Sequence, residues 1–124
     1  MKLKQFSIYW LPVILYAVCV FIFSSISRPP EVIPIFPHSD KILHFIEYAL
    51  FGFLMLRALF SSYKDKKSII YLRFLAVFIV IFYGVTDEIH QYFVPLRHMD
   101  ILDLVSDSIG AFIGQLFFKL KEIK

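Results

Sequence analysis

The chain of 124 residues contains a single cysteine, Cys19, which lies within a run of apolar residues. One cysteine excludes an internal disulfide framework and a zinc site built on cysteine ligands. The sequence also lacks an HExxH pattern, the helical motif that many zinc proteases use. It contains no repeat of fixed period and no low-complexity tract.

Apolar residues are abundant instead. They make up 59% of the chain, fifteen residues are phenylalanine, and the mean hydropathy is +0.72. Soluble domains average roughly 45–50% apolar residues. The composition therefore predicts a membrane protein with one domain, residues 1–124. Four spans of about 20 residues each would consume most of the chain and leave no room for a soluble catalytic module.

Four apolar segments predict an all-α, polytopic membrane protein, a bundle of four transmembrane helices at residues 8–26, 42–60, 68–85 and 101–118. The first segment carries no charge and exceeds the apolar core of a signal peptide, which is about 7–15 residues long. No clear cleavage site follows it, so we expect a retained span. The connection to the second segment, SRPPEVIPIFPHSD, has four prolines and is expected to be extended and stiff.

Basic residues predict the orientation, because cytoplasmic loops of membrane proteins are enriched in lysine and arginine. Nine fall on one side of the predicted spans: Lys2, Lys4, Lys64, Lys66, Lys67, Arg73, Lys119, Lys121 and Lys124. Three fall on the other: Arg28, Lys41 and Arg97. Both termini are therefore expected in the cytoplasm, with the protein in the inner membrane. Topology accounts for the basic residues, so nucleic-acid binding is not predicted.

Most carboxylates fall at or near the opposite, outer boundary: Glu31, Asp40, Glu47, Asp87, Glu88, Asp100, Asp103 and Asp107. Helical spacing gives several of them a common face, since residues three or four apart are neighbours on a helix. His44, Glu47 and Tyr48 form such a stripe on the second segment. At the end of the third segment Asp87 and Gln91 lie one turn apart, with Glu88 beside Asp87.

The fourth segment carries Asp103, Asp107, Gly110 and Gly114 in one stripe, and Ser106 adds a third small residue to the glycines. A charged residue at the centre of a membrane helix costs roughly 2.5–3.5 kcal/mol, so buried carboxylates favour a polar interior over lipid. We therefore expect an inward polar pocket at the outer face. Simpler structural roles are also open: the small residues are typical of helix packing, and Asp40 and Asp100 are candidate helix caps.

The residues of two blocks, DKILHFIEYALFGF (40–53) and TDEIHQYFVPLRHMDILDLVSDSIGAFIG (86–114), resemble the VanZ-like family of small bacterial membrane proteins. The blocks cover about a third of the chain. Two positions depart from the family pattern. Leu96 stands in place of a turn glycine, and Asp107 stands where the family usually has asparagine.

The resemblance implies a protein of the bacterial cell envelope, in a family named for low-level resistance to the glycopeptide teicoplanin. Its pattern assigns ligand-binding candidates to this sequence, and we add Asp107 to them. The candidates are Asp40, Lys41, His44, Tyr48, Gln91, Arg97, Asp103 and Asp107. The expected partners are the lipid bilayer and a lipid-linked cell-wall precursor or a glycopeptide.

Three functions follow from these residues. The first is recognition of a lipid-linked or surface ligand by the outer pocket, without chemistry. The second is a membrane-embedded, metal-assisted enzyme acting on a phosphate-containing lipid or cell-wall precursor. The third is a proton or ion pathway, which the clustering of polar groups at one face disfavours. The catalytic candidates of the enzyme are His44, Glu47, Asp87 and Glu88.

The enzyme hypothesis includes a divalent cation as cofactor, with Asp87, Glu88 and Asp103 as candidate ligands. Oxygen ligands suit Mg²⁺ or Ca²⁺, whereas His44 and His90 would admit Mn²⁺ or Zn²⁺. The sequence leaves the choice of metal open.

Overall fold

The computed structural model describes residues 2–27, 37–63 and 68–118. This part of the chain is helical and contains no strand, which confirms the all-α prediction. Its elements are α1 (Leu3–Ser24), α2 (Ser39–Ser62), α3 (Ile69–Tyr92), α4 (Ile101–Gly114) and a 3₁₀ turn (Gln115–Phe117). The predicted stiff connection lies mostly outside the described residues. Six lysines of the orientation count, in the second loop and the tail, lie outside them as well.

Three helices are long and apolar enough to cross a bilayer. α1, α2 and α3 have 22, 24 and 24 residues, and the most apolar stretch of each has a mean hydropathy of 2.2, 1.6 and 2.2. α4 has 14 residues, which extend about 21 Å at roughly 1.5 Å per residue. This is less than the hydrocarbon thickness of about 30 Å. The four-span prediction is thus confirmed for three helices, and a crossing by α4 stays a prediction.

Consecutive helices run in opposite directions. At one end Ser25, just after α1, lies 2.9 Å from His90 Nε2 near the end of α3. Lys41 in the first turn of α2 contacts Asp103 in the first turn of α4 at the same end. We call this the polar end of the bundle. At the opposite end Trp10 Nε1 donates a hydrogen bond of 2.7 Å to Ser62 Oγ.

Glycines bring α2 and α4 into close contact. A Cβ atom on Gly114 would overlap the backbone of Ala49, and one on Gly110 would overlap the backbone at Phe45. From the other side, a Cβ on Gly52 would lie 2.9 Å from the Cα of Ala111. The small-residue stripe of the fourth segment is therefore a packing surface, and it places the acidic residues of α4 directly against α2.

Tyrosine hydroxyls connect α1 to the other helices. Tyr16 donates a hydrogen bond of 2.8 Å to the Glu47 carbonyl, and Tyr83 donates one of 2.6 Å to the Ala17 carbonyl. The Phe51 ring packs between both, with centroids 5.7 Å from Tyr16 and 5.1 Å from Tyr83. α1 is therefore a packed member of the bundle, although most of its apolar side chains face outward, where lipid would contact them.

Of the two aspartates considered as helix caps, Asp100 caps a helix and Asp40 does not. Asp100 is the N-cap of α4, since its Oδ1 accepts a hydrogen bond of 2.8 Å from the backbone N–H of Leu102. Asp40 lies in the first turn of α2, which begins at Ser39 after His38, so the capping role considered for Asp40 is wrong. The Asp40 side chain points to Lys41 instead.

Candidate functional site

Buried polar side chains concentrate at the polar end of the bundle. Among the described residues eight polar or charged side chains are buried, and Gln115 is the member of this set at the opposite end. The other seven are Ser24, His44, Asp87, Glu88, Gln91, Asp103 and Asp107. The predicted polar pocket thus has a structural counterpart, formed by α1, α2, α3 and α4 together.

Lys41 is surrounded by carboxylates from two helices. Its ammonium lies 2.6 Å from Asp100 Oδ2, 2.6 Å from Asp103 Oδ1 and 2.9 Å from Asp40 Oδ2. The Lys41 ammonium and the Leu102 N–H donate hydrogen bonds that hold the pKa of Asp100 below its usual value. Lys41 therefore links the first turn of α2 to the start of α4 and neutralises part of the negative charge there.

His44 lies between the two aspartates of the α4 stripe. Its Nδ1 is 2.8 Å from Asp107 Oδ1, and its Nε2 is 3.6 Å from Asp103 Oδ2. Asp107 is fully buried. Because an ionised carboxylate accepts but does not donate hydrogen bonds, the Nδ1–H of His44 is the donor to Asp107. The other ring nitrogen therefore faces Asp103.

A small cleft of about 40 Å³ opens beside His44. Four of its polar lining residues come from α2 and α3, and α1 contributes apolar side chains and a serine. The lining residues are Val20, Phe23, Ser24, His44, Glu47, Asp87, Gln91 and Arg97. On this measure of volume a cavity of about 10–15 Å³ holds one water molecule. The cleft therefore has room for a few small polar groups, such as hydroxyls, an ammonium or water molecules.

Arg97 contacts the end of α1. Its guanidinium donates hydrogen bonds of 3.0 Å and 2.9 Å to the carbonyls of Ile26 and Phe23. Carbonyls at the end of a helix have no partner within the helix, so these bonds cap α1. Lys41 provides a cation at Asp103. Arg97 still lines the cleft.

Asp87 and Glu88 are adjacent in sequence, but their side chains lie in different parts of the site. Asp87 lines the cleft, where its Oδ2 accepts a hydrogen bond of 3.1 Å from Gln91 Nε2. Glu88 lies with His44 and Asp103, and one ligand atom of each of these three lies within 4.8 Å of the others. Of the three predicted metal ligands, Glu88 and Asp103 are thus brought together with His44, and Asp87 is not part of that group.

His90, which was considered with His44 as a metal ligand, lies elsewhere. Its ring stacks on Phe21 with centroids 4.6 Å apart, and its Nε2 is 2.9 Å from Ser25 Oγ. Tyr48 is fully buried, and an added Cβ on Gly84 would lie 3.2 Å from its ring. These positions make His90 a contact to α1 and Tyr48 a part of the core beside the site.

The sequence did not identify the contribution of α1 to the site. Val20, Phe23 and Ser24 line the cleft, and Ser24 is buried. The first segment has no charge and therefore no polar stripe that could indicate an inward face. The serines at its end, SSIS, were the one available signal.

Several buried oxygens in the site accept no hydrogen bond from the described residues. They are Asp87 Oδ1, Glu88 Oε1, Asp107 Oδ2 and the hydroxyl oxygens of Ser24 and Tyr48. A buried polar atom without a partner costs about 1–3 kcal/mol. Three of these oxygens are carboxylate oxygens, so the site has unused capacity for hydrogen-bond donors or cations.

Comparison with known protein families adds one result. A sequence model of the family described as VanZ/LLP1 matches residues 6–122, which is nearly the whole chain. The chain belongs to the VanZ/LLP1 family. This confirms the resemblance carried by the two sequence blocks and, with the three bilayer-length helices, identifies a VanZ/LLP1 membrane protein. Searches of curated proteins and of solved structures found no match.

The two departures of this VanZ/LLP1 protein from the expected family pattern have clear positions. Leu96 has a φ angle of 63°, in the left-handed region that favours glycine. Asp107 makes its hydrogen bond to His44 through one oxygen, and the amide oxygen of an asparagine could accept the same bond. The asparagine of the pattern is therefore compatible with this geometry.

Proposed function

We propose that this VanZ/LLP1 protein binds the polar part of a lipid-linked or surface-exposed ligand at the outer face of the inner membrane. The observation that carries the proposal is the cleft at the polar end, in which the buried Asp87 has an oxygen without a partner among the described residues. Such an oxygen accepts a hydrogen bond from a hydroxyl or an ammonium group. The cleft is small, so it would take a polar part of a head group.

The charge of the polar end supports a ligand that donates hydrogen bonds or carries positive charge. Among the described lysines and arginines, Lys41 and Arg97 lie there, together with the histidines His44 and His90. The carboxylates are Asp40, Glu47, Asp87, Glu88, Asp100, Asp103 and Asp107. The excess of negative charge disfavours a bare anion. A head group with hydroxyls or an amine fits it better.

A second groove at the polar end, which shares no lining residue with the cleft, supports the lipid-linked character of the ligand. It has a volume of about 180 Å³ and lies between α3 and α4. Apolar side chains line most of it, among them Val85, Ile89 and Leu104, and Glu88 and Asp100 lie in the same lining. A hydrocarbon chain could lie in this groove while its head group approaches the carboxylates.

A panel of lipids in nanodiscs tests the proposal through the melting temperature of the protein. Phosphatidylethanolamine offers an ammonium, and phosphatidylglycerol and a lipid-linked cell-wall precursor offer hydroxyls, whereas phosphatidic acid offers neither beyond its phosphate. At least one of the first three should raise the melting temperature, because a ligand present at a hundred times its Kd stabilises by about 2.7 kcal/mol. Equal stabilisation by phosphatidic acid would contradict recognition of a donor group.

The matched variants are Asp87→Asn and Asp40→Asn. The first changes a carboxylate in the cleft, and the second makes the same change outside it, at a side chain that is 43% exposed. We expect Asp87→Asn to lose the ligand-dependent stabilisation and Asp40→Asn to retain it. If both variants respond like the unaltered protein, the cleft does not bind the ligand.

A link to teicoplanin resistance depends on the identity of this ligand. If the ligand is a lipid-linked cell-wall precursor, expression of the protein in a susceptible bacterium should raise the minimum inhibitory concentration of teicoplanin. Asp87→Asn, expressed to the same level, should give no such increase. An equal increase with this variant would mean that resistance does not depend on the cleft.

One observation favours the metal-assisted enzyme as a second candidate. His44, Glu88 and Asp103 offer three ligand atoms beside a cleft that contains Glu47, a carboxylate able to act as a general base. Incubation with phosphate-containing lipids and Mn²⁺, followed by mass spectrometry of the products, tests this function. Turnover that is lost in Glu47→Gln, with lipid binding unchanged, would support it.

A further inference from the structure

A ring nitrogen and two carboxylates meet at the polar end of the bundle. One ligand atom each of His44, Glu88 and Asp103 lies within 4.8 Å of the other two. The three side chains are buried, with exposed fractions of 8%, 3% and 7%. We propose that this group binds a divalent first-row transition ion, Zn²⁺ or Mn²⁺. The proposal is independent of the head-group binding proposed above, and it concerns the metal ligands that the second candidate function would use.

The orientation of His44 is that of a metal ligand. Its Nδ1 is held by the fully buried Asp107 at 2.8 Å. In a neutral ring the other nitrogen, Nε2, then carries the lone pair. Metal-bound histidines almost always donate their second N–H to a carboxylate or carbonyl in this way, which fixes the ring and its tautomer. Asp107 would be this orienting carboxylate.

The lone pair of Nε2 faces an oxygen instead of a donor. Asp103 Oδ2 lies 3.6 Å away, and two acceptors at this distance repel unless a proton or a cation stands between them. Asp103 Oδ1 is already occupied, since it accepts a hydrogen bond of 2.6 Å from Lys41. The two oxygens of Asp103 thus face different residues: Oδ1 faces Lys41, and Oδ2 faces His44.

Glu88 supplies the second, independent observation. Its Oε2 accepts a hydrogen bond of 3.0 Å from the backbone N–H of Asp100, which fixes the carboxylate. Its Oε1 is buried and has no hydrogen-bond partner among the residues that the structure describes. A buried carboxylate oxygen that lacks a donor is best satisfied by a cation. The group therefore combines a positioned imidazole with a positioned, unpartnered carboxylate.

The charge around the group also favours a cation. With His44 neutral, the carboxylates of Asp40, Glu88, Asp100, Asp103 and Asp107 lie near a single ammonium, that of Lys41. A divalent ion would remove half of the remaining negative charge. In the competing arrangement both ring nitrogens of His44 are protonated, and their N–H groups point at Asp107 and Asp103. The proton on Nε2 would then stand where the ion is proposed to bind.

The donor set selects the class of ion. Imidazole nitrogen suits Zn²⁺ and Mn²⁺, whereas sites for Mg²⁺ and Ca²⁺ use oxygen alone. Three protein ligands leave at least one coordination position open, as in catalytic rather than structural zinc sites. A ligand oxygen could take that position, because the cleft shares His44 with the group.

Isothermal titration calorimetry of the chelator-treated, detergent-purified protein tests the proposal. We expect one Zn²⁺ or Mn²⁺ per chain and at least tenfold weaker binding of Mg²⁺. Glu88→Gln and Asp103→Asn should each weaken binding at least about tenfold. Asp87→Asn is the matched control, because it changes the adjacent carboxylate, which lies in the cleft, and it should bind the ion like the unaltered protein.

Two results would overturn the proposal. One is that the unaltered protein, although it shows a normal thermal unfolding transition, does not bind one Zn²⁺ or Mn²⁺ per chain. The other is an equal loss in Asp87→Asn and Glu88→Gln, which would indicate a general effect of negative charge. Variants of buried residues can fail to fold, so an electron spin-echo envelope modulation spectrum of Mn²⁺ bound to the unaltered protein gives a separate readout. It should contain the ¹⁴N coupling of one imidazole, and its absence would exclude His44 as a ligand.

The lipid and metal experiments separate the two proposals. Asp87→Asn should lose the head-group response and retain the ion, so failure of the lipid panel leaves the metal result unaffected. A protein that binds lipid but no ion would refute the metal site alone and leave the doubly protonated His44 as its alternative.

Discussion

His44 Nδ1 and Asp107 Oδ1 lie 2.8 Å apart, although the two residues are 63 positions apart in the sequence. The bond joins α2 to α4 next to the point where Gly110 contacts the backbone of α2. Close backbone packing and a buried polar contact therefore fix the same helix pair. Both features place the acidic stripe of α4 against the histidine of α2.

Asp107→Asn should preserve the fold, because the amide oxygen can accept the hydrogen bond from His44 Nδ1. Asp107→Leu should lower the free energy of unfolding by about 1–3 kcal/mol, since it leaves a buried donor of His44 without a partner. Thermal unfolding in detergent measures both changes. Equal destabilisation by the two variants would mean that the hydrogen bond does not stabilise the helix pair.

Gly114→Ala should destabilise the protein by about 1–3 kcal/mol through overpacking. The added methyl group would overlap the backbone of Ala49, which cannot move away as a side chain can. Ile109→Ala, on the outward face of α4 where the side chain is 51% exposed, is the control. It should change the free energy of unfolding by less than about 0.5 kcal/mol. A neutral Gly114→Ala would contradict the close approach of α2 and α4.

Leu96→Gly should stabilise the protein by about 1 kcal/mol. Leu96 has a φ angle of 63°, and a residue with a Cβ atom pays roughly 1–2 kcal/mol in the left-handed region. Leu96→Ala is the matched control, since alanine keeps the Cβ atom and should give no gain. Denaturation of both variants under the same conditions measures the difference, and a gain in Leu96→Ala alone would refute the backbone explanation.

Topology is testable with reporter fusions. Fusions after Pro37 and after Arg97 should report an external location, because nine basic residues fall on the opposite side of the predicted spans. Fusions at either terminus should report the cytoplasm. A cytoplasmic signal after Pro37 or Arg97 would place the polar end at the inner face and exclude a ligand of the outer surface.

Helical spacing was sufficient to predict much of the site. His44 and Tyr48 on α2, and Asp103, Asp107 and the glycines on α4, are buried as their stripes indicated. Glu47, the third polar member of the α2 stripe, is partly exposed. Burial of a charged residue in a membrane helix is costly unless it finds a partner, so these residues had to face the interior. The sequence therefore constrains which side of each polar helix points inward.

Spacing could not assign partners across helices. Asp87 and Glu88 are neighbours in sequence, but successive residues on a helix point about 100° apart, and the two carboxylates enter different groups. Lys41 and Arg97 have the same charge, and only the packing of the helices decides that Lys41 reaches Asp103 while Arg97 caps α1. The apolar α1 carried no pattern that could indicate its place beside the cleft.

Native mass spectrometry of the protein released directly from its own membranes tests the central claim, that the cleft at the polar end holds the head group of a membrane ligand. The unaltered protein and Asp40→Asn should carry the same bound lipid species, and Asp87→Asn should lose it. If all three proteins carry the same species in the same amounts, or carry none, the cleft does not have the function proposed for it.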